Sequence, residues 1–197
     1  MPLPLRQSAR VVSATPSLKP AFLSFVADIE HSDAQDAEIY ALAKSDFHAY
    51  VQSLLDEEKG LNLGDGRVPC SHRWIMSDDA SIVGVARIRH NVGTPFLAES
   101  AGHIGYEVRP SHRGLGYGHV VLSAALAEAR RIGLNRVLLF TAANNLASKR
   151  VIERQGGVLE ATQFSEFWGE QLSRYWIDII QITPHILEAH PNGDSSV

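Results

Sequence analysis

Three glycines at alternate positions, Gly114, Gly116 and Gly118, separate a strand-like run from a run with helical character. Glycine adopts backbone conformations that are closed to other residues, and its lack of a side chain lets a ligand approach the main chain. A helix that begins here adds unpaired N–H donors and the positive end of its dipole. The spacing therefore predicts a binding site for an anion such as a phosphate group.

The surroundings of these glycines disfavour two common nucleotide-binding loops. A P-loop ends in Gly-Lys-Ser/Thr, whereas His119 and Val120 follow Gly118. A dinucleotide loop has the spacing Gly-x-Gly-x-x-Gly and an acidic residue near the end of the next strand. Here the last spacing is different, and the next predicted strand ends Phe140-Thr141-Ala142 without an acid. ATP, GTP and NAD are therefore disfavoured as ligands.

The run instead resembles the acetyl-CoA loop of the GNAT N-acetyltransferases, whose signature Arg/Gln-x-x-Gly-x-Gly/Ala is met by Arg113, Gly116 and Gly118. Downstream, Asn145-x-x-Ser148 opens a predicted helix and is similar to the family's Asn-x-x-Ala/Ser helix beside the cofactor. The resemblance covers about residues 72–180. Within the family, the chain looks like a branch of predicted acetyltransferases whose acceptor is not generally known. The resemblance implies an α/β GNAT fold, a mixed, mostly antiparallel sheet of about seven strands with helices on both faces.

The resemblance also implies an activity and a set of cofactor-binding residues. The activity is direct transfer, in a ternary complex, of an acetyl group from acetyl-CoA to a primary amine of a small molecule or peptide. The backbone near Tyr106 and Val108 would hold the pantetheine arm as an added strand would, and Asn145 and Ser148 would flank the cofactor. The pyrophosphate would lie on the turn formed by Arg113, Gly114, Leu115, Gly116, Tyr117 and Gly118.

One position departs from the family's pattern. Many GNAT enzymes carry a tyrosine seven residues after the asparagine, placed to protonate the coenzyme A sulfur, and Ile152 stands there instead. Either another residue supplies the proton, or the thiolate leaves unassisted, or no transfer occurs and the chain is a regulatory acetyl-CoA-binding module. Tyr175 and Tyr117 are the remaining tyrosines closest to the motif, and Tyr117 is expected to be held by packing. A donor longer than acetyl is a further variant.

Amide transfer also needs a base, because an amine with a pKa near 10.4 is almost wholly protonated at neutral pH. Glu107 and His103 are four residues apart on the predicted cofactor strand and share one face, whereas Ile104, Tyr106 and Val108 share the other. The apolar set is expected to meet the core, which directs Glu107 and His103 toward a polar cleft. Both are candidate catalytic bases, His103 having the more suitable ordinary pKa. The alternative is that they are ordinary solvated or hydrogen-bonded strand residues.

Other polar residues suggest weaker hypotheses. Arg87, Arg89 and His90 end the strand before the cofactor strand, where they could receive an acidic group of the acceptor or form a solvated strand end. The chain has nine histidines, but no His-x-x-x-His pair or Cys/His cluster has the spacing of metal ligands. The sequence therefore predicts no metal.

Length and composition set the wider expectations. The chain has 197 residues, a net charge of −4 and one cysteine, and its Lys and Arg residues are scattered. These features predict a single domain over residues 1–183, a flexible tail over 184–197 and a cytoplasmic monomer or homodimer. No nucleic-acid or membrane partner is expected.

Hydrophobic periodicity predicts the elements that position these residues. Strands are expected at 10–14, 73–76, 81–88, the run before Pro110, 136–140, 158–164 and 172–180, and helices at 16–30, 36–59, 117–132 and from 145 to about 155.

Overall fold

Seven strands and five α-helices, joined by short 3₁₀ and π-helical turns, form the part of the chain that the computed structural model describes, residues 9–32, 34 and 36–179. The strands are β1 (Ala9–Ser13), β2 (Cys70–Ser77), β3 (Ile82–Arg89), β4 (Ile104–Val108), β5 (Arg136–Ala142), β6 (Val158–Ser165) and β7 (Glu170–Asp178). The α-helices are α1 (Lys19–Ser32), α2 (Ala41–Ser45), α3 (Phe47–Glu58), α4 (Tyr117–Arg131) and α5 (Leu146–Arg154).

The strands form two antiparallel sheets rather than one mixed sheet. The first has the order β1-β2-β3-β4 and the second the order β5-β7-β6. A single bridge, between Gly102 and Leu139, joins them within the described residues. Gly102 has a φ of 68°, and a Cβ atom there would collide with the Leu138 carbonyl, so glycine allows β5 to approach the start of β4. Beyond this bridge β4 and β5 separate, which leaves the β5-facing edge of β4 without a ladder partner in the described chain.

The helices before β2 cover one face of the first sheet. The helix predicted from hydrophobic periodicity at 16–30 is confirmed as α1, in which Phe22, Phe25, Val26 and Ile29 are all buried. The predicted second helical stretch is broken by Asp46, whose backbone is extended and whose side chain caps α3 by accepting from the Ala49 N–H. This break places the 3₁₀ turn Asp36–Tyr40 over the same sheet face.

Helices α4 and α5 cover the opposite face. Ile104 is buried there, and Tyr106 and Val108 pack against the same cluster, as the strand alternation predicts. Gly84 on β3 permits close packing of α4, since a Cβ atom on it would lie 2.5 Å from Val121 Cγ2. The fold therefore holds the first turn of α4 beside the end of β4.

The connection between β3 and β4 contains a π-helical turn, Leu97–Ala101. The predicted tail, 184–197, lies outside the described residues, as does residue 180 of the predicted last strand. No helix within the described ranges has the length and apolar character needed to cross a membrane.

Candidate active site

An open cleft of about 1780 Å³ follows the separated edge of β4. One end reaches the glycine-rich turn before α4, and the other lies between α3 and the π-helical turn. Cleft-lining residues that the sequence singled out are Arg87, Arg89, Tyr106, Glu107, Val108, Arg113, Gly114, Gly116, Gly118, Asn145 and Ser148.

The glycine-rich turn has the geometry of an anion site. Gly114 and Gly116 have φ values of 78° and 90°, in the left-handed region that favours glycine. A Cβ atom added at either residue would have no heavy atom within 4 Å, so the space above the turn is open. Gly116 precedes α4 directly, and the first N–H groups of a helix have no intrahelical acceptor. These donors and the helix dipole fit the charge of a pyrophosphate group.

Two other residues of the turn have local roles. Arg113 is exposed, and its Nε donates to the Val108 carbonyl at 3.2 Å, which ties the turn to the end of β4. Tyr117 is buried with its ring 5.5 Å from the His112 ring, in agreement with the expectation that packing holds it.

The start of α5 forms the cleft wall opposite β4. Asn145 caps this helix, because its Oδ1 accepts from the Ser148 N–H at 3.0 Å. Its amide nitrogen has no protein partner within the described residues and lies at the cleft, where it can donate to a ligand. The Ser148 and Tyr106 hydroxyls are 2.9 Å apart, a contact that joins α5 to β4 across the cleft wall.

The tyrosines differ in their access to the cleft. Burial raises the pKa of Tyr106, which keeps its cleft-lining hydroxyl protonated. Ile152 lies one turn after Ser148 and is buried in the core, so the usual tyrosine position does not line the cleft. Tyr175 is fully buried and donates to Glu153 at 2.8 Å; burial and that carboxylate raise the pKa of Tyr175 to about 12. Tyr175 is thus removed from the cleft.

Glu107 lies at the centre of the cleft, in a hydrogen-bonded chain. The Tyr40 hydroxyl donates to its Oε2 at 2.8 Å, and Arg87 Nη2 donates to the Tyr40 hydroxyl at 2.9 Å. Burial raises the pKa of Tyr40 well above its ordinary value, so this phenol stays a donor. Sequence reasoning missed Tyr40, which is far from Glu107 along the chain and carries no local signal.

His103 is placed differently from Glu107 and does not line the cleft. Its ring Nδ1 accepts from the Leu138 N–H at 2.9 Å, and the backbone N–H of His103 donates to the Leu138 carbonyl at 2.8 Å. Burial, with a contribution from Arg89, lowers the pKa of His103 to about 4. The ring is therefore neutral at pH 7 with its proton on Nε2, and its acceptor nitrogen is already occupied. Of the two candidate bases only Glu107 faces the cleft, and His103 joins β4 to β5.

The depressed pKa of His103 predicts an acid-sensitive contribution to stability. Between pH 6.5 and about 4 the imidazole of His103 is protonated in the unfolded chain but not in the folded protein. The neutral, buried imidazole therefore contributes fully to the free energy of unfolding above pH 6.5, and this contribution is lost as the pH falls toward 4. His103→Gln keeps an acceptor for Leu138 but does not titrate. From pH 7 to 4.5 the wild type is expected to lose about 2 to 3 kcal/mol more free energy of unfolding than this variant, by urea denaturation. Equal losses in both proteins would contradict this placement of His103.

Glu57, Cys70 and His72 form a cluster that sequence spacing did not reveal. Their potential ligand atoms lie within 4.8 Å of one another. His72 Nε2 lies 2.6 Å from Glu57 Oε2, and Arg67 pairs with the same carboxylate at 3.0 Å. Burial raises the pKa of the Cys70 thiol to about 12. The cluster is thus a hydrogen-bonded group with a protonated thiol, and the predicted absence of a metal stays a prediction.

The three basic residues at the end of β3 divide between two environments. Arg87 and Arg89 line the cleft, which disfavours a simple solvated strand end. His90 does not line it, and its Nε2 lies 2.9 Å from the Ser71 hydroxyl.

Solved structures with a similar fold include acetyltransferases. One is a RimL ribosomal L7/L12 alpha-N-protein acetyltransferase in complex with coenzyme A, with a TM-score of 0.67, 20% identity and coverage of 89% of this chain and 97% of its own. Another is a ribosomal-protein-S5-alanine acetyltransferase from Vibrio fischeri, with a TM-score of 0.66, 15% identity and coverage of 89% of this chain and 96% of its own. A third is a chimera of the spermidine N-acetyltransferase SpeG from Vibrio cholerae and hSSAT, with a TM-score of 0.60, 14% identity and coverage of 86% of this chain and 95% of its own. At these identities the likeness concerns the fold alone.

Sequence comparison supplies the family. No curated protein sequence matches the chain. Residues 36–157, more than half of the chain, match the sequence model of the acetyltransferase (GNAT) family, and this range contains the glycine-rich turn, β4 and the start of α5. The chain therefore belongs to the GNAT family of acetyltransferases.

Proposed function

We propose that this protein transfers an acetyl group from acetyl-CoA to a primary amine of a small molecule or peptide, by direct attack in a ternary complex. The observation that carries the proposal is that the anion site before α4 and the Glu107 carboxylate open into one cleft. The structural neighbours are named for amine acceptors, one for the α-amino group of a protein and another for spermidine, which agrees with an amine acceptor here.

The cofactor half of the cleft suits a coenzyme A molecule. The turn from Arg113 to Gly118 would hold the pyrophosphate by backbone N–H groups. The edge of β4 at Tyr106 and Val108, which lacks a ladder partner in the described chain, would pair with the amide groups of pantetheine as with an added strand. Asn145 would donate its side-chain amide to the same arm. When bound, acetyl-CoA supplies the activated thioester.

Glu107 is proposed as the base. It takes one proton from the ammonium group of the acceptor, which frees the nitrogen lone pair to form the C–N bond. The nitrogen then loses its second surplus proton to solvent as the C–S bond breaks. Tyr40 fixes the carboxylate by its 2.8 Å hydrogen bond, and Arg87 fixes Tyr40 in turn. Tyr40 and Arg87 are thus positioning residues. His103 is proposed to hold the two sheets at the point from which they separate.

Tyr106 is proposed as the acid that replaces the missing tyrosine. Tyr106 lines the cleft, and its hydroxyl contacts that of Ser148, which also lines the cleft one helical turn before Ile152 on α5. It would give its proton to the departing sulfur and regain one from solvent through the Ser148 hydroxyl.

Tyr106→Phe is expected to lower kcat about tenfold and to leave the KM for acetyl-CoA unchanged. The effect is moderate because a thiol with a pKa near 8.5 is a fair leaving group without help. Steady-state thiol release measures both constants. Tyr175→Phe, which removes a hydroxyl away from the cleft, is the matched control and should leave kcat unchanged. An unaltered kcat in Tyr106→Phe would show that the thiolate leaves unassisted.

Isothermal titration calorimetry tests the cofactor assignment. The chain is expected to bind acetyl-CoA and coenzyme A and not ATP, GTP or NAD. Tight binding of one of those nucleotides, without binding of coenzyme A, would overturn the proposal. A donor series with one fixed acceptor separates acetyl from longer acyl groups, and binding without thiol release over a broad amine screen would instead indicate a regulatory module.

A further inference from the structure

The floor of the cleft beyond Glu107 is a basic strip on β3. Glu107 pairs with Val85 across the β3–β4 ladder, and Gly105 pairs with Arg87. Because side chains alternate along a strand, Val85, Arg87 and Arg89 lie on one face together with Glu107. The two arginines therefore extend from the candidate base into the half of the cleft away from the glycine-rich turn.

Arg89 lacks an acidic partner in this half of the cleft. Its Nη1 donates to the carbonyl oxygens of Ala101 and Gly102, at 3.4 and 3.1 Å. Within the described residues no carboxylate forms an ion pair with it, and its other guanidinium N–H groups have no protein acceptor there. Burial lowers the pKa of Arg89, as expected for a partly desolvated cation without a counter-ion. A ligand anion would compensate this charge.

Neighbouring charged groups in the same half already have partners. Glu57 is bound by His72 and Arg67, at 2.6 and 3.0 Å. Arg87 donates to the Tyr40 hydroxyl, which in turn donates to Glu107. Arg87 thereby orients the chain from Tyr40 to Glu107, whereas Arg89 can meet an incoming anion without disturbing that chain.

The spacing between Arg89 and Glu107 limits the size of the ligand. Arg89 Nη1 lies 3.9 Å from the position that a Cβ atom on Gly105 would occupy. Gly105 and Glu107 are two residues apart on one strand, so their side-chain positions are separated by about 7 Å. Arg89 and Glu107 thus line neighbouring parts of the same cleft, where one small ligand that carries both an ammonium and a carboxylate group can contact the two side chains. Gly105, having no side chain, keeps the space between them open.

We propose that the acetyl acceptor is an α-amino acid or a closely similar small amine, whose carboxylate is bound by Arg89 and whose amine is presented to Glu107. This inference rests on the proposed acetyl transfer and names the class of acceptor. The carboxylate contact orients the amine, and the positive charge of Arg89 disfavours polyamines, which carry no carboxylate and repel it.

The test compares each of a set of α-amino acids with its carboxamide, which keeps the amine and side chain and removes the negative charge. In thiol-release assays the wild type is expected to prefer the acids in kcat/KM by about 10- to 100-fold, the range for a hydrogen bond to a charged group. Arg89→Gln should abolish this preference by raising the KM for the acids, with the calorimetric affinity for acetyl-CoA unchanged. Arg67→Gln is the matched control, because Arg67 lines the same cleft but is 68% exposed and paired with Glu57; it should keep the preference.

The outcomes separate this inference from the proposed function. Equal use of acids and carboxamides by the wild type, or an Arg89→Gln variant that binds acetyl-CoA and keeps the preference, would overturn the inference and leave amine acetylation standing. Absence of both acetyl-CoA binding and thiol release would overturn the function itself. If Arg89→Gln folds poorly, Arg89→Lys takes its place. This variant keeps the positive charge and is expected to retain part of the preference for acids over carboxamides.

Discussion

Glu107→Gln is expected to lower kcat for amine acetylation about 10²- to 10⁴-fold, the usual contribution of a general base. Glutamine has nearly the same shape and can still accept from the Tyr40 hydroxyl, which lies 2.8 Å from the carboxylate, but it cannot take a proton from an ammonium group. The KM and the calorimetric affinity for acetyl-CoA should be unchanged, because the change does not alter the glycine-rich turn. Steady-state kinetics at pH 7 measure the effect.

The dependence of this effect on pH distinguishes a base from a structural residue. An acceptor amine becomes increasingly neutral as the pH rises toward and through its pKa, so it needs a base less. The ratio of wild-type to variant kcat should therefore shrink as the pH rises. Glu38→Gln is the matched control, because Glu38 is an exposed acid lining the same cleft; it should retain wild-type kcat. A ratio near one at pH 7 would show that Glu107 is not the base.

Gly114→Asp is expected to weaken coenzyme A binding about 10- to 100-fold, since a carboxylate a few ångströms from the pyrophosphate costs roughly 1 to 4 kcal/mol per charge pair near a protein surface. The position has open space above it, so a side chain can be added without a clash. Isothermal titration calorimetry in low salt measures the loss. Higher ionic strength should reduce it, because exposed charges are screened.

Gly114→Asn is the control for this substitution. Asparagine and aspartate have the same shape, and both tolerate the left-handed backbone that Gly114 adopts at a φ of 78°. Any strain common to both variants therefore cancels. Equal affinities in the two would contradict the placement of the pyrophosphate at this turn.

The features that the sequence predicted correctly have local causes. The spacing of Gly114, Gly116 and Gly118 marks a turn, and the structure gives two of these residues the left-handed backbone that glycine favours. Alternation along β4 predicted that Tyr106 and Glu107 lie on opposite faces, and they do. These inferences need only the periods of a strand and a helix and the conformational freedom of glycine.

The features that the sequence did not reveal depend on packing between distant segments. Tyr40 ends the 3₁₀ turn Asp36–Tyr40 and reaches Glu107 because it packs in the core cluster that the first helices form against the first sheet. His103 has the spacing of a cleft residue, yet the Gly102–Leu139 bridge brings it to the Leu138 backbone, where its acceptor nitrogen is used. Arg89 ends a strand, as a solvated residue often does, but the π-helical turn next to it forms a cleft wall. Such placements follow from topology, which no local pattern encodes.

Acetyl-CoA and an amine are proposed to react in the cleft beside Glu107, and one coupled assay tests this reaction. The chain is mixed with acetyl-CoA and a panel of amino acids, and free thiol and acetylated amine are quantified together, the latter by mass spectrometry. Wild type is expected to give equal amounts of thiol and N-acetylated amine, and Glu107→Gln almost none. Thiol release without acetylated amine, or equal product from both proteins, would contradict it.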